Sequence, residues 1–351
     1  MLFDARFKDS KDYEQFAFEQ TTMVRMPAAN TCAYCRKVET HWVDASFQLP
    51  ICGEECSRSI WLEYQQESQQ AFFREHMGRY ESEIKQELHY VYECDDLSKD
   101  IIIVVHDQLD YLRVTINSLV AHTKNYHIYL WDNASQEPTQ NYIKELSYQL
   151  GDKITVMRSD VNLGFIQPNN ELASWGSGDY IILLNSDVKV FGGWDTSMLG
   201  YLQANPDTKL VGHMGGLLDA DGIGGRIGYG EDIDYVPGWC LCLARETYDQ
   251  FGLFNKDLKF AYAEDSELSL RIQMGGYKIY ALHLMLVHHF ENKTIGEVRK
   301  EKGEVSLRES FQYNHDILRT LWGEYLQKRR VDVRERLQGE EAFNELVEQL
   351  S

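Results

Sequence analysis

The sequence predicts an α/β protein in which helices cover both faces of a mostly parallel sheet, and three observations favour that fold. Residues 101–105 are all isoleucine or valine, which suits a strand buried on both of its faces. Residues 111–121 then place their apolar side chains at helical spacing. Further short apolar runs follow at residues 127–131, 154–157 and 180–184, and strands that alternate with helices are typical of parallel sheets.

The chain divides into three predicted regions. Residues 98–296 contain the α/β pattern, whereas residues 1–95 contain a cysteine cluster followed by a long helical stretch. Residues 297–351 are charged and have an amphipathic helical pattern. We expect the helices of this third region to pack against the α/β domain or to form a homodimer.

Composition and charge narrow the class of protein. The 351 residues are 43% hydrophobic, and 55 acidic against 35 basic residues give a net charge of −20. This charge disfavours binding to nucleic-acid phosphates or to anionic membranes. No apolar run approaches the ~20 residues that cross a bilayer, and residues 1–10 lack the apolar core of a signal peptide. We therefore expect a cytoplasmic protein.

Polar side chains follow three of the predicted strands at the point where each strand ends. The clusters are His106-Asp107, Asp132-Asn133 and Asn185-Ser186-Asp187. Ligands of such sheets bind beyond the carboxyl ends of the strands, so these residues are candidates for a site. A carboxylate at such a position either holds a hard divalent cation or caps the following element, and the sequence leaves both interpretations open.

Two further polar pairs have both a structural and a functional interpretation. Glu264 and Asp265 precede a short predicted helix that ends at a pair of glycines. There they either cap the helix or supply a general base. His288 and His289 end an apolar stretch, where they are structural residues or include a metal ligand.

A cysteine cluster in the first region predicts a zinc site. Cys32, Cys35, Cys52 and Cys56 have the spacing C-x2-C-x16-C-x3-C. Four thiolates form a closed tetrahedral site without a place for a catalytic water, so the zinc would be structural. Residues 51–57 resemble the second half of a treble-clef finger of the FCS or MYND type. Such a module either staples the fold or recognises an acceptor or partner.

Short motifs occur in a fixed order along residues 100–296. They are residues 101–112 leading into Ser118-Leu119, WDNAS at 131–135, NLGF at 162–165 with Asn169-Asn170, LNSD at 184–187, PGWC at 237–240, FGLFN at 251–255, Glu264-Asp265 with Arg271, Gly276-Tyr277, and HFENKT at 289–294. Together they resemble a family 2 glycosyltransferase. The resemblance implies a GT-A fold and the transfer of a sugar from a nucleotide-sugar donor.

The resemblance also implies roles on the donor side of the site. Asp132 would contact the base of the nucleotide, and Asp187 would bind the metal ion that bridges the diphosphate. His289 would be the second metal ligand, with His288 as the alternative if the register differs by one residue. The other implied nucleotide-sugar-binding residues are His106, Asp107, Asn133, Asn162, Gly164, Phe165, Asn170, Asn185 and Ser186.

On the acceptor side, the resemblance implies that Asp265 is the general base and that Glu264 touches the acceptor or the sugar. Trp239 and Gly238 would form part of the acceptor platform, although Trp239 could equally be a core residue. The implied reaction is a single displacement with inversion at the anomeric carbon. It would use Mn²⁺ or Mg²⁺, a UDP-sugar as donor, and a glycan, a protein or a small molecule as acceptor. A carboxylate with a histidine favours Mn²⁺.

The sequence departs from the family pattern in the metal motif, where Asn185 replaces the first carboxylate, so metal binding would rest mainly on Asp187. Two alternatives stay open. One is sugar transfer to hydroxymethylated bases of viral DNA, which the zinc module motivates and the acidic charge opposes. The other is a non-catalytic interaction protein with a degenerate transferase fold, which the retention of Asp187, Asp265 and His289 opposes.

Overall fold

The computed structural model describes residues 23–31, 39–44, 49–51, 76, 78–91, 96–218, 224–290 and 307–327. The chain forms two compact units, Met1–Ile84 and Lys85–Ser351. In the first unit, β1 (Met23–Thr31), β2 (Glu39–Asp44) and β3 (Leu49–Ile51) form an antiparallel sheet in that order. The predicted zinc ligands Cys32, Cys35, Cys52 and Cys56 lie outside the described residues, so the zinc module stays a prediction.

Strands and helices alternate along the rest of the chain. The strands are β4 (Lys99–Val105), β5 (Tyr126–Asn133), β6 (Ile154–Ser159), β7 (Tyr180–Leu184), β8 (Val188–Val190), β9 (Thr208–Gly212), β10 (Gly215–Leu218), β11 (Gly224–Gly228), β12 (Cys240–Ala244), β13 (Lys278–Ala281) and β14 (Val287–His289). The helices are α1 (Glu81–Glu87), α2 (Leu109–His122), α3 (Glu137–Leu150), α4 (Ile166–Ala173), α5 (Trp194–Ala204), α6 (Arg245–Phe251), α7 (Glu264–Met274) and α8 (residues 307–327).

The central sheet is mixed but mostly parallel. Among the described residues it has seven strands in the order β13-β9-β12-β7-β4-β5-β6. β5 and β7 run parallel to β4, β6 runs parallel to β5, and β13 runs parallel to β9. The four strands predicted from the sequence correspond to β4, β5, β6 and β7. The predicted α/β class is therefore confirmed.

β12 differs from its neighbours in the sheet because it runs antiparallel to both β7 and β9. Its first residue, Cys240, is paired with Leu184 at the end of β7. The loop before β12 therefore lies beside the turn that follows β7. The backbone N–H of Asn185 donates a hydrogen bond to the carbonyl of Trp239 at 2.8 Å and closes this junction.

Apolar strands and buried ion pairs hold the sheet together. Residues 101–103 of β4 are at most 1% exposed, so the removal of their apolar surface from water stabilises the fold. At the start of the same strand, Nζ of Lys99 lies 2.8 Å from Asp195 in a buried ion pair, and Arg245 pairs with Asp100. Loss of one partner would leave an unpaired buried charge, so these pairs fix the position at which β4 enters the sheet.

Helix α8 packs onto the second unit through an apolar face. Leu318 and Leu326 are buried and cluster with Ala263 and Leu270. Within the predicted C-terminal region, the structure describes a helix over residues 307–327. Of the helices that the structure describes, none combines the length and the apolar character needed to cross a bilayer.

Candidate active site

A cleft of about 260 Å³ opens at the carboxyl ends of β4, β5 and β7. Side chains from distant parts of the sequence meet there. They come from the residues that follow these strands, from the loop before β12, from the start of α7 and from the end of β14. The predicted site residues that line the cleft are His106, Asn133, Asn162, Gly164, Phe165, Asn185, Ser186, Asp187, Gly238, Trp239, Glu264, Asp265 and His289.

The turn at residues 185–187 connects β7 to β8 and brings Asp187 to the cleft. Thr115 of α2 holds this turn by hydrogen bonds. The motif spacing did not indicate Thr115 as a site residue. Its hydroxyl lies 2.9 Å from the carbonyl of Ser186 and 2.8 Å from the carbonyl of Val188. The same hydroxyl accepts a hydrogen bond from the backbone N–H of Val188 at 3.1 Å. The position of Asp187 therefore depends on a buried threonine far away in the sequence.

Asp187 and His289 form a pair of candidate metal ligands. Oδ1 of Asp187 lies 3.2 Å from Nε2 of His289, and this buried oxygen accepts no hydrogen bond from any described residue. The indole of Trp239 stacks on the imidazole of His289, with ring centroids 5.0 Å apart and 13° between planes. An unpartnered buried carboxylate oxygen is costly, so the pair fits a divalent cation.

The described residues would supply two ligands to such a cation rather than a complete cage. No group of three or more His, Cys, Asp or Glu side chains within the described ranges is placed to hold a metal. Cations that serve phosphate transfer or release commonly use one or two protein carboxylates, with substrate oxygens and water in the other positions. Asp187 and His289 fit that arrangement.

Glu264 and Asp265 begin α7 and line the cleft, but their environments differ. Asp265 accepts hydrogen bonds from the backbone N–H groups of Gly238 at 3.0 Å and Ser266 at 2.7 Å. Oε2 of Glu264 is buried and has no partner in the part of the chain that the structure describes. Burial, and then the nearby Asp265 carboxylate, raise the pKa of Glu264 to about 8. Burial also raises the pKa of Asp265, while its hydrogen bonds act in the opposite direction.

Asn133 organises the side of the cleft formed by β4, β5 and the following loop. Its Nδ2 donates hydrogen bonds to Oδ1 of Asn162 at 3.0 Å and to the carbonyl of Gly164 at 2.9 Å. Its Oδ1 accepts a hydrogen bond from the N–H of Leu163 at 2.8 Å. Nδ1 of His106 lies 2.8 Å from the carbonyl of Asn133. Asn133 thus contacts His106 at the end of β4 through its backbone carbonyl and the loop that follows β6 through its side-chain amide.

Phe260, Ala261 and Tyr262 also line the cleft, although no sequence motif indicated them beyond their closeness to Glu264. Phe260 explains why position 164 is a glycine. Gly164 has φ of 82°, and a Cβ on it would lie 2.5 Å from the carbonyl oxygen of Phe260. Both the backbone conformation and the close approach therefore require glycine there.

Four of the residues predicted for the nucleotide-sugar and metal site of the transferase lie outside the cleft lining. Two of them belong to the predicted base-binding region. Oδ1 of the buried Asp132 accepts a hydrogen bond from the N–H of Ser135 at 2.9 Å, and its other oxygen pairs with Arg158. Oδ1 of Asp107 accepts a hydrogen bond from the N–H of Gln136 at 2.6 Å.

The other two are Asn170 and His288. Asn170 lines a separate cavity, where its side chain bonds both the N–H and the carbonyl of Phe254, at 2.8 and 3.0 Å. His288 is paired with Lys189 across β14 and β8, and its ring meets Phe290 edge to face with centroids 4.7 Å apart. Burial, with His289 and Lys189, lowers the pKa of His288 to about 4. His289, rather than His288, lies beside Asp187, with its Nε2 3.2 Å from Oδ1 of the carboxylate.

Residues 100–216 match the family described as "Glycosyl transferase family 2". Over these residues the chain is similar to that glycosyltransferase family. The match covers about a third of the chain and includes β4 to β7 and the turn that holds Asp187. At this level the prediction of a glycosyltransferase is confirmed. Among curated proteins, none matches the chain.

The fold of the domain is similar to that of a solved glycosyltransferase structure, "GalNAc-T7 with UDP, GalNAc and Mn2+". The TM-score is 0.52 at 18% identity, over 56% of this chain and 44% of that chain. The present chain thus spans less than half of that protein, and the likeness concerns the fold alone. A mixed, mostly parallel GT-A-like sheet with helices is confirmed, as the resemblance implied.

Two further solved structures have lower scores. The mannosyltransferase PcManGT from Pyrobaculum calidifontis, in complex with GDP-Man and Mn2+, gives a TM-score of 0.47 at 13% identity, over 66% of this chain and 70% of that one. Residues 1–349 of TarS from S. aureus give a TM-score of 0.43 at 13% identity, over 58% of this chain and 64% of that one.

Proposed function

We propose that the protein is an inverting glycosyltransferase that moves a sugar from a nucleotide-diphosphate sugar to an acceptor hydroxyl, with one divalent metal ion. The observation that carries the proposal is that Asp187 and His289 share one cleft with Glu264 and Asp265. A departing diphosphate needs a cation, and an attacking hydroxyl needs a base. The family 2 domain match supports the same reaction class.

The charge of the cleft supports a metal-bound diphosphate. Asp187, Glu264 and Asp265 line it, and the described lining residues include neither lysine nor arginine. Such a surface would repel a diphosphate unless a cation lay between them. Asp187 and His289 would hold that cation, which would stabilise the charge that develops on the leaving diphosphate. A histidine beside a carboxylate favours Mn²⁺ over Mg²⁺.

Asp265 is the proposed general base, and Glu264 is its protonated neighbour. The N–H groups of Gly238 and Ser266 stabilise the ionised form of Asp265. Glu264, whose pKa is raised to about 8 by burial and by Asp265, keeps its proton near neutral pH and can donate a hydrogen bond to the acceptor or the sugar. Adjacent groups whose environments separate their pKa values can divide acid and base roles in this way.

In the proposed reaction, Asp265 takes the proton of the acceptor hydroxyl while the hydroxyl oxygen bonds to the anomeric carbon. The bond between that carbon and the diphosphate oxygen breaks on the opposite face, so the configuration inverts. His106, Asn133 and Asn162 would border the nucleotide. The acceptor would approach from the side of Gly238 and Trp239.

Trp239 is proposed both to orient the metal ligand His289 and to contact the substrates. Its ring lines the cleft and stacks on His289, so it orients a proposed metal ligand. Its buried Nε1 finds no acceptor among the described residues and is therefore available to a phosphate or sugar oxygen. The proposed donor is a UDP-sugar, and the acceptor is a hydroxyl of a glycan, a protein or a small molecule.

A thermal-shift screen of nucleotide sugars with Mn²⁺ tests the proposal. A ligand that binds only the folded state raises the Tm, so we expect one class of donor to raise it with Mn²⁺ and to do so less after chelation. Transfer from that donor should fall by about 100-fold or more in Asp265→Asn, while the donor-induced shift persists. If no nucleotide sugar raises the Tm with Mn²⁺ or Mg²⁺, the proposal is wrong.

A further inference from the structure

Residues 259–263 form a segment, here called the arch, that leads into α7 and borders the cleft. Three of its residues have a left-handed backbone, with φ of 58° at Phe260, 80° at Tyr262 and 66° at Ala263. Residues other than glycine rarely adopt this backbone conformation, and it persists only where the surrounding structure holds it. The arch therefore depends on contacts from other parts of the fold.

One set of contacts comes from the nucleotide side of the cleft. The backbone N–H groups of Phe165 and Ile166 both donate hydrogen bonds to the carbonyl of Phe260, at 2.6 and 3.2 Å. Gly164 packs directly against the same peptide. Any displacement of the arch would therefore disturb residues that line the cleft on both the donor side and the α7 side.

A second set of contacts comes from Asn314 on α8, whose side chain is fully buried. Its Nδ2 donates to the carbonyls of Lys259, Ala261 and Tyr262 at 2.8, 3.0 and 2.9 Å, and its Oδ1 accepts from the N–H of Lys259 at 2.8 Å. Two amide hydrogens are thus shared among three carbonyls. The N–H of Lys259 fixes which way the amide is turned, because only the oxygen can accept it.

Apolar contacts surround these hydrogen bonds. Phe311 meets Tyr262 edge to face with centroids 5.4 Å apart, and Leu318 is buried in a cluster with Ala263. Such contacts attach α8 to the domain without specifying orientation, because hydrophobic attraction is non-directional. The hydrogen bonds of Asn314, in contrast, fix the directions of successive arch carbonyls.

We infer that Asn314 is a positioning residue of the transferase. It holds the arch in its left-handed conformation. The arch in turn positions Glu264 and Asp265, and it supports the loop before α4 that contains Phe165. The inference rests on the proposed function, and it makes α8 part of the active-site architecture. That helix lies outside the residues that match the family 2 domain, so the domain match alone would not include it.

Hydrogen–deuterium exchange tests, without an activity assay, whether Asn314 holds the arch. In Asn314→Ala, the amides of Lys259, Phe165 and Ile166 should exchange about tenfold faster than in the parent, because the arch loses its support. Gln312→Ala removes an exposed side chain of the same helix that bonds Asp316, and it should leave these amides unchanged. Unchanged exchange at all three amides in Asn314→Ala would overturn the inference.

Kinetics then separate a positioning role from general stability. With the donor found in the screen, Asn314→Ala should lower kcat by about 10–100-fold, because a small misplacement of reacting groups is costly. KM for the donor should rise by a smaller factor, because the arch also supports the loop that contains Phe165. Asn314→Ser replaces the amide with a shorter hydroxyl that can still donate one hydrogen bond and accept others, so its effect on kcat should be intermediate. It also serves as the test if the alanine variant does not fold.

The outcomes of these experiments distinguish a failure of the proposed transferase function from a failure of the positioning role of Asn314. A parent protein that binds no nucleotide sugar contradicts the proposed function, and the exchange measurement still decides whether Asn314 holds the arch. A lower Tm in the Asn314 variants with kcat unchanged would show that α8 only stabilises the fold, and the positioning role would then be wrong.

Discussion

The carboxylate of Asp187 is buried, yet its Oδ1 receives no hydrogen bond from the described residues and lies 3.2 Å from Nε2 of His289. We expect Asp187→Asn to abolish the Mn²⁺-dependent binding of UDP, because an amide is a poorer ligand than a carboxylate for a hard cation. Transfer should fall by about 100-fold or more. Calorimetric titration of UDP with and without Mn²⁺ measures the change.

Asp257→Asn is the matched control for this prediction, since Asp257 is exposed and lies away from the cleft lining. Both substitutions remove one negative charge, so an effect of overall charge would appear in both. Mn²⁺-dependent binding that survives in Asp187→Asn would contradict the assignment of Asp187 as a metal ligand.

Glu264 should make the stability of the protein depend on pH. Burial and the nearby Asp265 raise the pKa of Glu264 from 4.5 to about 8, so between these values the folded chain holds a proton that the unfolded chain releases. This contribution is complete below about pH 4.5 and is lost as the pH rises through about 8. In metal-free buffer, the Tm of Glu264→Gln relative to the parent should therefore rise by at least about 2 °C from about pH 5 to 8.5.

The exposed residue Glu246 of α6 provides the control. The Tm of Glu246→Gln should differ from that of the parent by a constant amount across the same pH range. If the Tm difference for Glu264→Gln is equally constant, Glu264 is already ionised in the folded protein at neutral pH, and its proposed role as a hydrogen-bond donor is wrong.

At the scale of elements, helix α2 supports the turn that carries Asp187 through the hydroxyl of Thr115. Thr115→Val keeps the shape of the side chain but removes the hydroxyl that bonds Ser186 and Val188. We expect the free energy of unfolding to fall by about 1–3 kcal/mol, because buried backbone groups lose their partner. UDP should also bind more weakly with Mn²⁺, because the turn carries Asp187. Urea unfolding and titration measure the two effects.

Thr139→Val on α3 removes another buried threonine hydroxyl outside the cleft lining, and it should leave Mn²⁺-dependent binding unchanged. Should Thr115→Val lose stability but bind UDP and Mn²⁺ as well as the parent, α2 would stabilise the sheet without positioning the metal ligand.

The strands that precede the cleft could be predicted because their apolar runs are continuous and end at polar clusters, as at residues 101–105 and Asp187. The direction of β12 could not be predicted in the same way. The apolar pattern of a short strand buried on both faces is the same whether the strand runs parallel or antiparallel to its neighbours. Its direction depends on pairing with β7 and β9, and these contacts are distant in sequence.

The candidate site could be predicted in part for the same reason. Residues at strand ends, such as Asn133 and Asp187, line the cleft because the edge of the sheet fixes their position. Asn170 lies on α4, where packing turned its side chain towards Phe254 instead. Thr115 and Asn314 gave no signal, because a single polar residue on an amphipathic helix does not reveal which distant backbone it meets.

At the scale of the whole molecule, the net charge of −20 disfavours a polyanionic acceptor. The acidic cleft adds to this effect, because its carboxylates would repel a DNA backbone and the proposed cation would offset their charge only locally. We expect no label transfer from the donor to hydroxymethylated or plain DNA at moderate salt. Transfer to the hydroxymethylated strand alone would reverse this expectation and favour the viral-DNA alternative.

The division of the chain into two compact units predicts two metals with separate effects. Elemental analysis of the full chain should find about one zinc ion per chain, because four thiolates form one closed site, and the double substitution Cys32→Ser with Cys35→Ser should remove it. Cys94→Ser, outside the zinc spacing, should keep the zinc.

The shift in Tm produced by UDP with Mn²⁺ should persist in the parent protein, in the double variant and in Cys94→Ser. The reason is that the described cleft residues lie between Val104 and His289, within the unit Lys85–Ser351. Unchanged zinc content in the double variant would contradict the cysteine site, and loss of the UDP shift along with the zinc would contradict the separation.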